Sequence, residues 1–574
     1  MNQPSNAVPT NVVYTDAEVL VSSRETAEAI FIEDGRVAAV GSNEELLAAA
    51  DASVEHKSLD GATVIPGLVD THPHLMHFTA FRASSLDITD AKSHDDIVAA
   101  IRECAAQTPK GEWIQTTPVG EPHYFLRRSS QDLAEGELPD RHVLDRATSE
   151  HPVLIRAWAP RVPNVVALNS LALRILGIDA LTPDRVSDVW IEKDAAGNPT
   201  GILRGSVTAY YNMDPFFNDL QTKMPPVILP ERVLPAMIES MAGYNAMGIT
   251  SIYEGHAMDF PLIDAYRALH AQGLLTLRVQ TAPELEANAF PGDPLLSIEQ
   301  VRENLEQALA IRTLDDDWLR IDGITATITG PCSVGLARWD SGYLDPFGRR
   351  TTGKRQVDPE KTRLFYEFCA EHGLRLNVLS LTPDEHDENL ALAKEMMAKY
   401  NLDRVPWVVQ HGIFMREEQA KQFAELGFSM TASMSFTFGK GDMIAERLGA
   451  KALELLNPLR HVVDSGIPVA ASMDWGPTNP FEQMQLAVTH RISPSGRSNA
   501  GPGQVITRAE AFDMWTSGGS AVLGWDGIGR LTPGSYADLA IVDRNPITCD
   551  LDALPSTQVL RTTVGGRIVH DILH

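Results

Sequence analysis

From about residue 67 to 520, short apolar runs suited to strands alternate with amphipathic runs suited to helices, and this alternation restricts the fold more than any other feature of the chain. The strand candidates are 248–253, 276–280, 319–324, 374–379, 407–410, 429–433 and 467–471. Helical runs between them include 230–247, 298–313, 359–372, 387–400 and 416–426. A strand, a helix and a further strand in succession make parallel neighbours with the helix outside. Eight such units close into a barrel whose site lies at the carboxyl ends of the strands. The predicted fold is therefore α/β, a (β/α)8 TIM-like barrel over residues 67–520.

Both chain ends read differently. Near the start, 11–14, 27–32 and 36–41 have strand character, and Glu33-Asp34-Gly35 between the last two is a strong hairpin signal. Near the end, 537–542, 559–564 and 565–570 repeat that pattern. Neither piece is long enough to bury a good core alone. Residues 1–66 and 521–574 are thus expected to pack together as one small β-sandwich, with the barrel inserted between them. The stretch 115–230 interrupts the alternation with many prolines and with Trp158, Tyr210, Tyr211, Phe216 and Phe217. It reads as an insertion whose aromatics form its own core or line a substrate pocket.

Composition narrows the classes of function. Lys plus Arg is 48 against 76 for Asp plus Glu, a net charge of −28, and that field repels nucleic acid and anionic lipid. The four cysteines, Cys104, Cys332, Cys369 and Cys549, lack paired spacing, which argues against a disulfide framework and against a cysteine zinc site. The opening MNQPSNAVPTNVVYTD has no basic segment followed by an apolar core, and no run approaches 18 apolar residues. The expectation is a soluble cytoplasmic protein with a small-molecule substrate and no nucleic-acid or membrane partner. A homodimer is expected from the frequency of such assemblies.

The chemistry concentrates where strands should end. Val64-Ile65-Pro66-Gly67-Leu68-Val69-Asp70-Thr71-His72-Pro73-His74 is an apolar run that ends in two histidines one residue apart. On a strand, alternate side chains share a face, so His72 and His74 can grip one metal ion. His411 and Asp474 end two later strand candidates, and Glu254 with His256 follows a third. A metal lowers the pKa of a water it binds, and a neighbouring carboxylate can take the proton, a combination that attacks amide, imide or ester carbonyls. His77, His123, His151, His386 and His490 have no comparable placement and are expected to be solvated or hydrogen-bonded.

With these residues in hand the chain resembles the amidohydrolase superfamily along nearly its whole length. The resemblance is carried by the 64–74 motif, Leu168-Asn169-Ser170-Leu171-Ala172, His411-Gly412, Ser472-Met473-Asp474 and the closing Leu531 to Asp543. It is most similar to the amidohydrolase family 3 branch, which includes N-substituted formamide deformylases. The resemblance implies hydrolysis of carbon–nitrogen bonds other than peptide bonds, with His72, His74 and Asp474 holding metal, Asp474 also moving protons, and His411 binding a second metal or orienting water.

Two positions depart from that pattern: Thr325 stands where the family has a fourth-strand lysine, and Leu379 where it has a fifth-strand histidine. At most one divalent ion, with zinc the expected one, is therefore predicted. Its fourth ligand would come from His411, Glu254, His256 or water. Arg156-Ala157-Trp158-Ala159-Pro160-Arg161 replaces a substrate-facing glycine-histidine pair. Glu254, His256, Trp158 and Trp475 are the candidate substrate-binding residues. The leading expectation is a metal-dependent amidohydrolase with Asp474 and His411 catalytic. The loss of two ligands leaves a lyase or isomerase in the same barrel as the alternative, and the retained histidines and aspartate argue against a non-catalytic binding protein.

Overall fold

The computed structural model describes residues 11–51, 53–120, 127–286, 289, 293 and 295–573. Residues 1–10, which open the expected sandwich, and His123 lie outside the described residues.

Among the described residues, nine parallel strands form two arcs. In the first, Leu319–Ile321, Arg278–Thr281, Ile249–Glu254 and Leu68–Asp70 lie side by side. In the second the order is Ile324–Thr327, Leu376–Ser380, Val408–His411, Ser429–Ala432 and Val469–Ala471. Strands such as Ile249–Glu254 are buried at every position, as expected when a parallel sheet is covered on both faces. The arcs adjoin at Asp322–Gly323. A Cβ on Gly323, which has φ +84°, would stand 1.9 Å from the Arg375 carbonyl oxygen, so only glycine fits. At the other margin, the Thr71 amide and hydroxyl donate to the Ala471 carbonyl at 3.3 and 2.9 Å. The Met473 amide donates to Asp70 Oδ1 at 3.2 Å.

The helices fall close to the predicted positions: Pro230–Asn245, Ile298–Ala310, Pro359–His372, Pro383–Tyr400 and Glu417–Leu426. The fourth begins four residues before its apolar periodicity does. Thr382 accepts from the Glu385 amide, the Glu385 side chain answers to the Thr382 amide, and Pro383 occupies the first turn. That reciprocal cap starts the helix where the sequence alone suggests a loop.

The chain ends build two further sheets. One has the order Arg36–Gly41, Ala29–Glu33, Val12–Thr15, Glu55–Ser58. The other runs Arg567–Asp571, Val559–Val564, Leu539–Val542, Thr63–Pro66, Glu18–Ser22, Glu25–Ala27, so strands from both ends share it. Val12, Ile30, Val64, Leu539 and Ile541 meet in one apolar cluster between the sheets. The Asp34–Gly35 hairpin turn has φ +50° and +74°, the left-handed pair that a tight antiparallel turn requires. Thr63–Pro66 passes into Leu68–Asp70 through Gly67, where a Cβ would lie 2.1 Å from Thr250 Oγ1.

The interrupting stretch contributes a six-stranded sheet, Arg185–Val186, Val189–Lys193, Pro199–Gly205, Asn164–Leu168, Val153–Ile155 and Ile114–Thr116. Phe216 and Phe217 pack into its own core. Trp158, Tyr210 and Tyr211 belong instead to the main core beneath the strand ends. Among the described residues no helix is long and apolar enough to cross a membrane.

Candidate metal centre

The strand leading to the first histidines stops at Asp70. The pair therefore does not converge by strand pleat, as the sequence suggests. Pro73 has no amide hydrogen with which to extend a ladder, and His74, at φ +52°, stands immediately before the helix Leu75–Ala83. The turn still brings the rings together, with centroids 4.9 Å apart. His256, two residues beyond Ile249–Glu254, completes the group. His72, His74 and His256 each present a ring nitrogen, and these three atoms lie within 4.8 Å of one another.

Asp474 closes the fourth side. Its Oδ1 is 3.4 Å from His74 Nε2 and its Oδ2 is 3.8 Å from His411 Nδ1, while the His411 ring centre lies 4.4 Å from that of His72. The Asp474 amide donates to the His72 carbonyl at 3.1 Å. His74, His411 and Asp474 all have left-handed backbones, at φ +52°, +74° and +51°. Such conformations are costly for residues with a Cβ and persist where the surroundings impose them, as they do at working sites.

Hydrogen bonds behind the rings set which nitrogen faces inward. Thr431 Oγ1 accepts from the His411 amide at 3.1 Å and donates to Gln410 Oε1 at 2.8 Å. That oxygen also lies 3.0 Å from His72 Nδ1, so His72 carries its proton on Nδ1 and turns the lone pair of Nε2 into the site. Glu284 does the same for His256. It accepts from His256 Nδ1 at 2.8 Å, and from the Ala257 amide and the Thr327 hydroxyl. Burial opposes its ionisation, yet the His256 field and these donors hold the Glu284 carboxyl below the usual range. His256 Nε2 is left facing the Tyr210 and Tyr211 hydroxyls at 3.3 and 3.1 Å.

Burial pushes His72 down to about 4 and holds His74 and His411 well below the ordinary imidazole value. Burial works against ionisation of Asp474 too. The His74 hydrogen bond and the surrounding imidazoles outweigh it, and Asp474 stays well below the carboxylate range. Neutral imidazoles around one carboxylate are the protonation states that a divalent cation selects. Three buried atoms that point into this space, His72 Nε2, His411 Nδ1 and Asp474 Oδ2, have no hydrogen-bond partner, which is costly unless an ion or water meets them. The donor set fits a divalent metal, with nitrogen and carboxylate ligands suited to zinc.

The cavity beside these residues has a volume of about 450 Å³ including its open mouth, and His74, His256, His411, Asp474, Tyr210 and Trp475 line it. Leu379 also lines it, and Thr325 is buried with Oγ1 3.2 Å from the Tyr253 hydroxyl. Glu254 does not line the cavity: one carboxylate oxygen accepts from the Met76 amide at 2.8 Å and the other from the Tyr266 hydroxyl. Trp158 sits behind the wall, stacked on Phe81 at 4.4 Å, with Trp475 5.8 Å in front of it. Arg156 turns away to Gln115 Oε1 and the Pro225 carbonyl. His77 bonds the Ala257 carbonyl at 2.9 Å, His151 pairs with Thr148 and His386 with Ser380; His490 is buried at a helix end. Glu284, Gln410 and Lys440, none singled out in sequence, all take part in the site or its wall.

A family model described as the amidohydrolase family matches residues 58–570. The chain belongs to the amidohydrolase family. It is accordingly a hydrolase. N-substituted formamide deformylase of Arthrobacter pascens is 24% identical over 568 residues, covering 97% of each chain. Among solved structures, a metal-dependent hydrolase of Pyrococcus furiosus superposes with a TM-score of 0.69 at 19% identity, over 94% of this chain and all of that one. Atrazine chlorohydrolase TrzN of Arthrobacter aurescens, solved with zinc, gives 0.53 at 14% identity, over 98% of this chain and 97% of that one. These likenesses establish the α/β amidohydrolase fold.

Proposed function

We propose that this amidohydrolase cleaves the carbon–nitrogen bond of a small amide, N-formyl compound or cyclic amide, with one divalent ion, zinc, held by His72, His74, His256 and Asp474. The observation that supports it most directly is the convergence of three imidazoles and one carboxylate on a buried space where His72 Nε2 and Asp474 Oδ2 have no hydrogen-bond partner. When bound there, the ion supplies Lewis acidity and makes a water acidic near neutral pH. Asp474 takes the proton from the attacking water and returns it to the departing nitrogen. His411, whose Nδ1 lies 3.8 Å from Asp474 Oδ2, orients that water. The Tyr210 and Tyr211 hydroxyls donate to the substrate carbonyl oxygen as negative charge grows on it.

The architecture proposed for this chemistry is a barrel in which the two arcs close through Thr71 and Ala471, over residues 67–520, with 115–230 inserted. Residues 1–66 and 521–574 would form the β-sandwich. Leu379 lines the cavity where the family resemblance implies a ligand of a second metal, and its hydrocarbon side chain supports a single ion.

Elemental analysis beside an assay for released amine and formate tests the proposal. About one metal per chain is expected in the wild type and none in the His72→Ala, His74→Ala double variant. Asp474→Asn should retain the far-ultraviolet spectrum and lose roughly 10²–10⁴ in turnover, the usual worth of a positioned proton carrier. Turnover of the metal-free protein at the wild-type rate would overturn the metal-dependent mechanism.

A further inference from the structure

Three threonines alternate along the strand Ile324–Thr327 and its continuation: Thr325, Thr327 and Thr329. Thr329 lies past the strand but stays extended through an antiparallel bridge to Arg355, so the three share a face. Thr327 and Thr329 both line the cavity. Each gives its single hydroxyl hydrogen to a buried carboxylate: Thr327 to Glu284, which also holds His256, and Thr329 to Glu385. Leu379, paired with Thr327 across the parallel ladder, joins Leu381, Pro331 and Phe436 in making the rest of this wall hydrocarbon.

Glu385 fixes the direction of the Thr329 hydroxyl. It is 2% exposed and also accepts from the amides of Leu381 at 2.8 Å, Arg338 at 3.0 Å and Thr382 at 3.4 Å. Burial raises its pKa, and the Thr329 hydroxyl and these amides act in the opposite direction. Turning the Thr329 hydrogen toward the cavity would take a donor from a buried carboxylate, which is costly. The Thr329 oxygen therefore has lone pairs alone to offer a ligand. A ligand C–H placed there removes water without replacing it, and a ligand oxygen meets it acceptor to acceptor; only an N–H or O–H satisfies it. Among hydrocarbon neighbours an ammonium would be an expensive donor to desolvate, so the matching group is uncharged.

We propose that Thr329 is a specificity-determining residue that accepts a hydrogen bond from a second, uncharged N–H of the substrate, and that the substrates are amides or N-formyl compounds carrying a further amide or ureido N–H. This rests on the cavity being the substrate site of the amidohydrolase reading. Thr329 stands two residues, about 7 Å of extended chain, beyond Thr327, whose partner Glu284 holds His256. The second N–H is thus a few bonds away from the carbonyl under attack and is not the one on the departing nitrogen.

Matched probes test it. N-formylglycine N-methylamide and N-formylglycine methyl ester differ only in an N–H against an ester oxygen, and they keep the same formamide. Binding of each to the full-length zinc-loaded protein is measured on mixing by Trp fluorescence, with formate release followed in parallel. The amide should bind wild type about tenfold tighter than the ester, the worth of one hydrogen bond against an unpaired acceptor. Thr329→Val, which keeps the side chain's shape, should bring that ratio to about one. Thr329→Ser should restore most of it, which a threonine serving only to support Glu385 would not do. Equal binding of the two probes by wild type, weak or strong, overturns the inference, as does a preference for the amide that survives in Thr329→Val. A preference that depends on Thr329 without release of formate supports the acceptor site and counts against the hydrolytic reading instead. Formate release from both probes at equal affinity does the reverse.

Discussion

Glu284 would control the proposed metal without touching it. It is wholly buried, and through the 2.8 Å bond to His256 Nδ1 it decides which nitrogen of that ring is free. Such outer carboxylates are commonly worth 10–100-fold in metal affinity. Glu284→Gln is therefore expected to weaken zinc binding by about that factor, read by competition with a chromophoric chelator, while an unchanged affinity would remove Glu284 from the site's support. The residues legible in sequence were those that chain position alone puts at strand ends: His72, His74, His411 and Asp474. Gln410 and Glu284 were illegible for a common reason. Each acts on a partner from a different strand or loop, and such pairings exist only once the parallel neighbours are set. His256 lay between the two cases, since its place after a strand was visible but its convergence with His72 was not.

Periodicity located the helices well and their ends less well, because ends are decided by side-chain caps that carry no apolar signal. Thr382, Ser297 and Thr507 each close a reciprocal cap with the residue three further on. The last of these is tied to a second element. Glu510 accepts from the Thr507 amide at 2.8 Å, and both of its oxygens receive Arg460 at 2.9 Å. Burial opposes ionisation there, but the Arg460 and Thr507 hydrogen bonds hold the Glu510 carboxyl down to about 2, from an ordinary 4.5. A carboxylate with a depressed folded pKa adds stability above its unfolded value and loses it as pH falls through the folded one. Glu510→Gln should thus lower the melting temperature near pH 7, and the gap to wild type should narrow between about pH 4.5 and 2. A gap independent of pH would mean that packing, and not charge, holds these two helices. The strand Thr63–Pro66 and its continuation were readable as one apolar run. The bend at Gly67 that hands it from one sheet to the other was not, because it depends on Thr250.

Across the whole molecule, the terminal sheet is fastened to the parallel strands by a buried ion pair. Arg278, on a parallel strand, meets both carboxylate oxygens of Asp538 at 2.6 and 3.0 Å, with Tyr536 stacked 3.7 Å from its guanidinium. Asp538 also takes the Gly565 amide at 2.7 Å. Leaving either charge alone in that setting costs roughly 3–5 kcal/mol. Asp538→Ala is expected to lower unfolding stability by that amount in denaturant titration, and the double change Arg278→Met, Asp538→Leu to recover part of it. A small loss in the single variant would show that the chain ends are held by their apolar contacts alone. Alternation of strand and helix made the parallel body readable from sequence, whereas this fastening joins residues 260 positions apart and leaves no local pattern. The same distance in sequence governs when the enzyme can come into being. Thr71 and Ala471, which flank the histidines and Asp474, are 400 residues apart, and at roughly 5–20 residues per second the ribosome needs on the order of 20–80 s to travel between them. Throughout that interval the nascent protein exposes two histidines that lack their carboxylate, and on the proposed reading a metal would be captured firmly only after the last strand emerges. Loading with metal would thereby be a late event of synthesis, and a chain cut short before Asp474 is expected to carry off none.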